Sequence, residues 1–130
     1  MAEPDVAVLA VDDGRFFLDV AREVVSATPG FVWAGAATSG EAAMAQVDEL
    51  EPSLVLLDIR MPGMDGLQTA RLIADRHPEV VIVLVSVDEA PEGVAASGAA
   101  LFIRKQDFGP RALRRLWRDC GGQHAADAGS

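Results

Sequence analysis

Residues 53–66 read SLVLLDIRMPGMDG, and both the fold and the candidate site are organised around this stretch. Residues 54–57 are apolar without a break, which predicts a strand that is buried on both faces. Asp58 follows directly, and a proline and two glycines between residues 61 and 66 then turn the chain. A carboxylate is therefore expected at the carboxyl end of a buried strand, where it can meet a ligand. Taken alone, Asp58 could equally be an ordinary loop aspartate.

Four other segments predict strands of the same sheet. Residues 6–11 (VAVLAV) and 80–85 (VVIVLV) are wholly apolar, residues 31–36 are weakened as a strand by Gly35, and residues 100–103 are the fifth candidate. Helices are predicted between and after the strands, at residues 15–27, 66–76, 91–97 and 110–120. One more helix is predicted to begin with a capping box formed by Thr38 and Glu41 and to stop before Pro52.

This alternation of five strands and five helices predicts an α/β fold. Strands without polar alternation indicate a parallel sheet that is covered by helices on both faces. Right-handed crossovers favour a doubly wound, five-stranded sheet, and the flavodoxin-like strand order 2-1-3-4-5 is a common solution. In that fold, ligands bind in the crevice at the carboxyl ends of strands 1 and 3. The polar residues that follow the strands are therefore the candidates for function.

Length and composition restrict the class of protein. A chain of 130 residues suggests one domain, predicted to span residues 1–120, with a disordered tail at residues 121–130. The net charge of −9 argues against direct DNA binding, which normally requires a basic surface. No apolar run approaches the ~20 residues that span a membrane, and the start MAEPD is unlike a signal peptide. The single cysteine, Cys120, favours a reducing cytoplasm.

Polar residues collect at the predicted strand ends. Strand 1 is followed by Asp12 and Asp13, strand 3 by Asp58, strand 4 by Ser86 and strand 5 by Lys105. Three carboxylates in one crevice repel one another and need a counter-charge, for which Mg²⁺ is suited because it takes oxygen ligands and bridges carboxylates to phosphate. A lysine supplies a point charge for a phosphoryl oxygen, and a serine hydroxyl can donate a hydrogen bond to another. The set has the parts for phosphoryl transfer to a carboxylate.

In this order and spacing, the same residues resemble those of a known family. The chain is similar to the receiver domain of bacterial two-component response regulators, in its stand-alone, single-domain form, over about residues 6–120. The resemblance rests on the pair Asp12-Asp13, on DIRMPGMDG around Asp58, on Ser86 after VVIVLV, and on Lys105 after the phenylalanine-containing strand.

The resemblance implies a role for each site residue. Asp58 would accept a phosphoryl group from a phosphohistidine. Asp13 and Asp58 would bind Mg²⁺ directly together with the backbone carbonyl of Arg60, and Asp12 would act mainly through water. By the same resemblance, Lys105 would bind the phosphoryl group. Ser86 and Phe102 would rearrange on phosphorylation.

The resemblance also implies partners and a location. The phosphoryl donor would be a sensor histidine kinase or a phosphotransfer protein, and the domain would assist its own phosphotransfer and dephosphorylation without being an enzyme for a separate substrate. A cytoplasmic monomer or weak homodimer is expected. The sequence has no effector domain after residue 120, so an unknown downstream protein is expected to give the output unless the sequence is a fragment of a longer chain.

Two features depart from the family pattern. Receivers often have a proline after the lysine, in a cis peptide, whereas Gln106 follows Lys105 here. A non-proline cis bond costs several kcal/mol, so a trans peptide is expected. The stretch between Ser86 and Lys105 is also short for the family. The helix predicted at residues 91–97 is therefore expected to be short or irregular, and residues 87–98 to be the switching segment.

Three alternatives remain open. A receiver-like module could signal through partner binding without phosphorylation. A flavodoxin-like flavin carrier would want a Ser/Thr/Gly-rich loop after strand 1 to bind phosphate, but Asp12 and Asp13 occupy that place. A carboxylate-nucleophile phosphatase would place its nucleophile on strand 1 with a second acid two residues on, where this chain has Gly14.

Overall fold

The computed structural model describes residues 5–121, which fold into five strands and four α-helices. In chain order these are β1 (Val6–Val11), α1 (Arg15–Ser26), β2 (Phe31–Ala37), α2 (Gly40–Leu50), β3 (Leu54–Asp58), α3 (Gly66–Arg76), β4 (Val81–Ser86), β5 (Leu101–Arg104) and α4 (Pro110–Leu116). The strands form one parallel sheet in the order β2-β1-β3-β4-β5. The predicted doubly wound, flavodoxin-like fold is confirmed.

The two faces of the sheet are buried by different pairs of helices. In β1, Val8 and Ala10 belong to the core cluster that contains the apolar residues of α1 and α4, whereas Leu9 and Val11 belong to the cluster that contains those of α2 and α3. β3 and β4 divide their side chains in the same way. Because successive residues of a strand point to opposite faces, a strand covered on both sides must be apolar throughout. This explains the unbroken apolar runs of the sequence.

Helix α2 begins one residue later than its predicted capping box. Ser39 is the N-cap, and its Oγ accepts a hydrogen bond from the backbone N–H of Ala42 at 3.1 Å. Because the helix begins at Gly40, the exposed Thr38 lies between the end of β2 at Ala37 and the N-cap. The prediction that Thr38 caps this helix is therefore wrong.

The fourth predicted helix, at residues 91–97, is not an α-helix. Within residues 91–97 the chain makes a turn and then a single 3₁₀ turn, Ala95–Ser97. Gly93 has a φ of +96°, outside the right-handed helical region, so the helix cannot propagate through it. Ser97 is buried, and its hydroxyl donates to the carbonyl of Val94 at 2.6 Å. The irregular geometry expected for this stretch is confirmed.

The end of the chain is only partly described. After Leu116, α4 continues as a π-helical turn, Trp117–Gly121. Gly121, the first residue of the predicted tail, closes this turn, and residues 122–130 lie outside the described residues. None of the helices in residues 5–121 has the length and apolar composition that crossing a membrane requires.

Candidate functional site

The carboxyl ends of three neighbouring strands meet in one crevice. Asp12 follows β1, while Asp58 and Ser86 are the last residues of β3 and β4. These three side chains are buried, with only 2–3% of each residue exposed, whereas Asp13 is exposed. The β1–β3 and β3–β4 pairings bring them together, so the predicted convergence at the strand ends is observed.

The loop after Asp58 is held tightly against the end of β3. The backbone N–H of Gly66 donates to the carbonyl of Ile59 at 2.9 Å, which closes residues 59–66 into a compact turn. A Cβ at Gly66 would collide with the Asp58 carbonyl oxygen and lie 2.6 Å from the Ile59 Cα, so only glycine fits there. A capping box between Asp65 and Gln68 then starts α3. The loop thus gives Asp58 a rigid support.

Lys105 reaches the carboxylates from the turn that follows the edge strand β5. Its ammonium nitrogen lies 2.5 Å from Oδ2 of Asp12 and 3.4 Å from Oδ1 of Asp58. The residue lies in a short 3₁₀ turn after β5, and no peptide bond in residues 5–121 is cis. The trans peptide before Gln106 is therefore compatible with a lysine that points into the crevice.

The acidic group fits a divalent cation. One oxygen from each of Asp12, Asp13 and Asp58 lies within 4.8 Å of the others. Oδ1 of Asp12 accepts a hydrogen bond from the backbone N–H of Gly14 at 2.8 Å. Oδ2 of Asp12 is buried and is ion-paired with the Lys105 ammonium. Carboxylate oxygens are among the ligands that Mg²⁺ binds in proteins.

The crowded charges shift the pKa values of the nucleophile candidate and of the lysine. Burial and the neighbouring Asp12 carboxylate raise the pKa of Asp58 to about 6, against the opposing effects of Lys105 and the Arg60 backbone N–H. Burial alone would lower the pKa of Lys105, but the two carboxylates outweigh it, and the pKa is raised. Lys105 is therefore a stable cation, and it offsets only part of the negative charge.

The other predicted residues surround this group at different places. The Ser86 hydroxyl accepts a hydrogen bond from the backbone N–H of Asp88 at 3.2 Å. Phe102 is half-buried in β5 and packs against the core on the α2–α3 side. Arg60 donates its backbone N–H to Oδ1 of Asp58 at 3.4 Å. The switch roles of Ser86 and Phe102, and the predicted binding of a metal by the Arg60 carbonyl, stay predictions.

Two contacts at the rim of the crevice were not predicted from the sequence. The exposed side chain of Arg60 pairs with Asp88 at 2.8 Å. The sequence could have indicated this pair. Arg60 lies two residues after the end of β3, and Asp88 lies two residues after the end of the adjacent strand β4. The ring of Phe17 lies below the Lys105 ammonium, 5.2 Å from it. No local pattern joins residues 17 and 105, so only the tertiary structure reveals this contact.

Parts of several known proteins are similar to this chain. A family profile described as "Response regulator receiver domain" matches residues 8–116. A protein-glutamate methylesterase/protein-glutamine glutaminase from Myxococcus xanthus is 38% identical over 127 residues, which cover 93% of this chain and 35% of that protein. A protein of the same description from Pseudomonas syringae pv. syringae is 35% identical over 114 residues, covering 88% of this chain and 29% of its own length. This chain therefore spans about a third of these relatives.

A solved structure agrees with the sequence matches. The signal receiver domain of the response regulator NarL from Mycobacterium tuberculosis superposes with a TM-score of 0.81 at 30% sequence identity. The superposition covers 91% of this chain and 97% of that domain. The resemblance to the methylesterases likewise runs through a receiver domain.

Proposed function

Since this chain belongs to the family of response regulator receiver domains, we propose that Asp58 accepts a phosphoryl group from the phosphohistidine of a sensor histidine kinase or a phosphotransfer protein. One observation carries the proposal: the buried Asp58 carboxylate, at the end of the central strand β3, shares its crevice with the Asp12 carboxylate and the Lys105 ammonium. A nucleophile, acidic ligands for a metal and a cation for phosphate are thus present in one crevice.

The chemistry transfers the phosphoryl group from nitrogen to oxygen. A carboxylate oxygen of Asp58 attacks the phosphorus, a P–O bond forms, and the P–N bond breaks with its electron pair passing to the donor imidazole. Lys105 balances the charge of one phosphoryl oxygen, and the Ser86 hydroxyl donates a hydrogen bond to another. Attack by water later returns the carboxylate and releases phosphate, so the domain is a phosphoacceptor that assists its own phosphotransfer and dephosphorylation.

Three carboxylates and a phosphoryl group need more positive charge than one lysine supplies. Asp13, Asp58 and the carbonyl of Arg60 would hold Mg²⁺, with Asp12 acting mainly through water. The ion would offset the negative charge that gathers on the transferred group. The fit of the acidic group to a cation supports this assignment.

The output of the domain is a change of its binding surface. A phosphoryl group adds up to about two negative charges in the crevice. Ser86 would move toward it and Phe102 would follow, which alters the surface offered to a downstream protein. We further propose that residues 1–120 are the receiver domain, that it works in the cytoplasm as a monomer or weak homodimer, and that it does not bind DNA directly.

Intact-mass measurement after incubation with acetyl phosphate and Mg²⁺ tests the proposal. Wild-type protein should gain one phosphoryl mass, and Asp58→Asn should gain none. Asp13→Ala should bind Mg²⁺ more weakly and become phosphorylated more slowly, because it lacks one carboxylate ligand. A wild-type protein that stays unmodified by acetyl phosphate and by phosphohistidine donors would favour a receiver-like module that binds partners without phosphorylation.

A further inference from the structure

The ammonium of Lys105 has an aromatic neighbour as well as two carboxylates. Its nitrogen lies 5.2 Å from the centroid of the Phe17 ring, within the range of a cation–π interaction. Phe17 lies in the first turn of α1, and only 6% of the residue is exposed. The Lys105 side chain is 19% exposed. Water therefore screens this attraction little, which is the condition under which a cation–π contact is strongest.

The Phe17 ring is itself held in place by the turn that carries Lys105. Its centroid is 5.8 Å from that of Phe108, with the two rings tilted by 55°. Phe108 is buried, and its backbone N–H donates to the carbonyl of Lys105 at 3.1 Å. The lysine, its aromatic neighbour and the ring that supports this neighbour thus form one connected unit between β5 and α1.

This chain has a particular need for such a support. A lysine side chain is a flexible four-carbon stem that ends in a point charge, and attraction to a carboxylate does not define the direction of the stem. Gln106 follows Lys105, so no proline ring restricts the backbone beside it. The buried Phe17 ring excludes the ammonium from the space that the ring occupies and also attracts it.

We propose that Phe17 is a positioning residue whose ring holds the Lys105 ammonium toward the phosphoryl group on Asp58. The inference rests on the proposed function. Asp12 and Asp58 attract the ammonium by charge, and Phe17 determines where it lies. When the phosphoryl group arrives, the ammonium is already beside the position of its oxygen atoms, so less ordering of the side chain is needed at that step.

Fluorination of the ring tests this role without removing the ring. Fluorine atoms withdraw electron density and weaken cation–π attraction, but they change the shape little. Phe17 is replaced by trifluorophenylalanine, and the matched control carries the same replacement at Phe31, which packs against the same core cluster. The expected result is beryllofluoride affinity and acetyl phosphate reactivity lowered about three- to tenfold at Phe17, and unchanged within about twofold at Phe31.

A second measurement needs neither phosphorylation nor magnesium. In the NMR spectrum, the terminal methylene protons of Lys105 should be displaced upfield by the Phe17 ring current, and Phe17→Leu should abolish this displacement while Phe31→Leu retains it. Equal effects of fluorination at the two positions, or a Lys105 signal without the displacement, would overturn the inference. If wild-type protein shows the displacement but takes up no phosphoryl group, the proposed function fails and the Phe17–Lys105 contact stands.

Discussion

Lys105 is the residue on which the charge balance of the crevice depends. It follows β5, at the edge of the sheet, yet its ammonium lies near the carboxylates that follow β1 and end β3. A compact ammonium can approach both Asp12 and Asp58, whereas the planar guanidinium of arginine is longer and pairs best with a single carboxylate. The geometry of the crevice therefore depends on a lysine at this position.

Lys105→Arg is expected to keep the fold but to impair the response to phosphorylation. The positive charge is conserved, so the carboxylates remain partly neutralised, but the donor atoms no longer lie where the phosphoryl oxygens arrive. Amide NMR spectra with and without beryllofluoride measure the response, and thermal unfolding checks the fold. A variant with the wild-type spectral change would show that Lys105 does not transmit the phosphorylation signal.

At the scale of elements, the connection between β3 and α3 leaves no room for a side chain at residue 66. Gly66→Ala places a methyl group against the backbone of Asp58 and Ile59, neither of which can rotate away. We expect a loss of about 3 kcal/mol in the free energy of unfolding, together with slower phosphorylation. Chemical denaturation and acetyl phosphate kinetics measure the two effects.

Gly63→Ala in the same loop is the matched control. Gly63 has a φ of +77° but open space around it, so alanine meets only the conformational cost of about 1–2 kcal/mol. The phosphorylation rate should be nearly unchanged, because the backbone of Asp58 is not displaced. Equal losses for the two variants would mean that the close approach at Gly66 is not what supports Asp58.

Residues 87–98 are the element expected to switch. Residues 87–93 are exposed, whereas Val94 and Ala99 pack against the core and Ser97 is buried. Few buried contacts mean a low cost of local opening, so a modest free-energy change can bias the segment. Amide exchange should be fast at residues 87–93 and should slow with beryllofluoride. Exchange as slow as that of β4 in both states would place the switch elsewhere.

At the scale of the whole molecule, the acidic crevice lowers the stability of the domain. The pKa of Asp58 is raised from 3.8 to about 6 by burial and by Asp12. The folded state therefore binds the proton more tightly than the unfolded state does. This group costs stability in full above about pH 6, and the cost disappears as the pH falls below about 4.

Asp58→Asn should therefore stabilise protein that has been stripped of divalent cations. At pH 7.5 we expect a gain on the order of 1–2 kcal/mol, or several degrees in Tm, and little difference from wild type near pH 4. Added Mg²⁺ should raise the Tm of wild type more than that of the variant, because a ligand that binds only the folded state stabilises it. A difference between the two proteins that does not vary with pH would contradict this account.

The sequence by itself determined the sheet and the contents of the crevice. Short unbroken apolar runs bounded by turn residues indicate strands covered on both faces, and the handedness of crossovers then leaves few strand orders. The carboxyl ends of parallel strands must lie along one edge, so the sequence alone groups Asp12, Asp13, Asp58 and Ser86. These features follow from local periodicity and from the direction of the chain, which a sequence carries explicitly.

Only the tertiary structure decided the contacts between side chains that are distant along the chain. Ser39 rather than Thr38 caps α2, because the first helical residue is Gly40. Lys105 points into the crevice without a following proline, and its neighbour there is the ring of Phe17. Such outcomes depend on the competition of many side chains for the same space and partners. That competition is settled only when the helices have packed against the sheet.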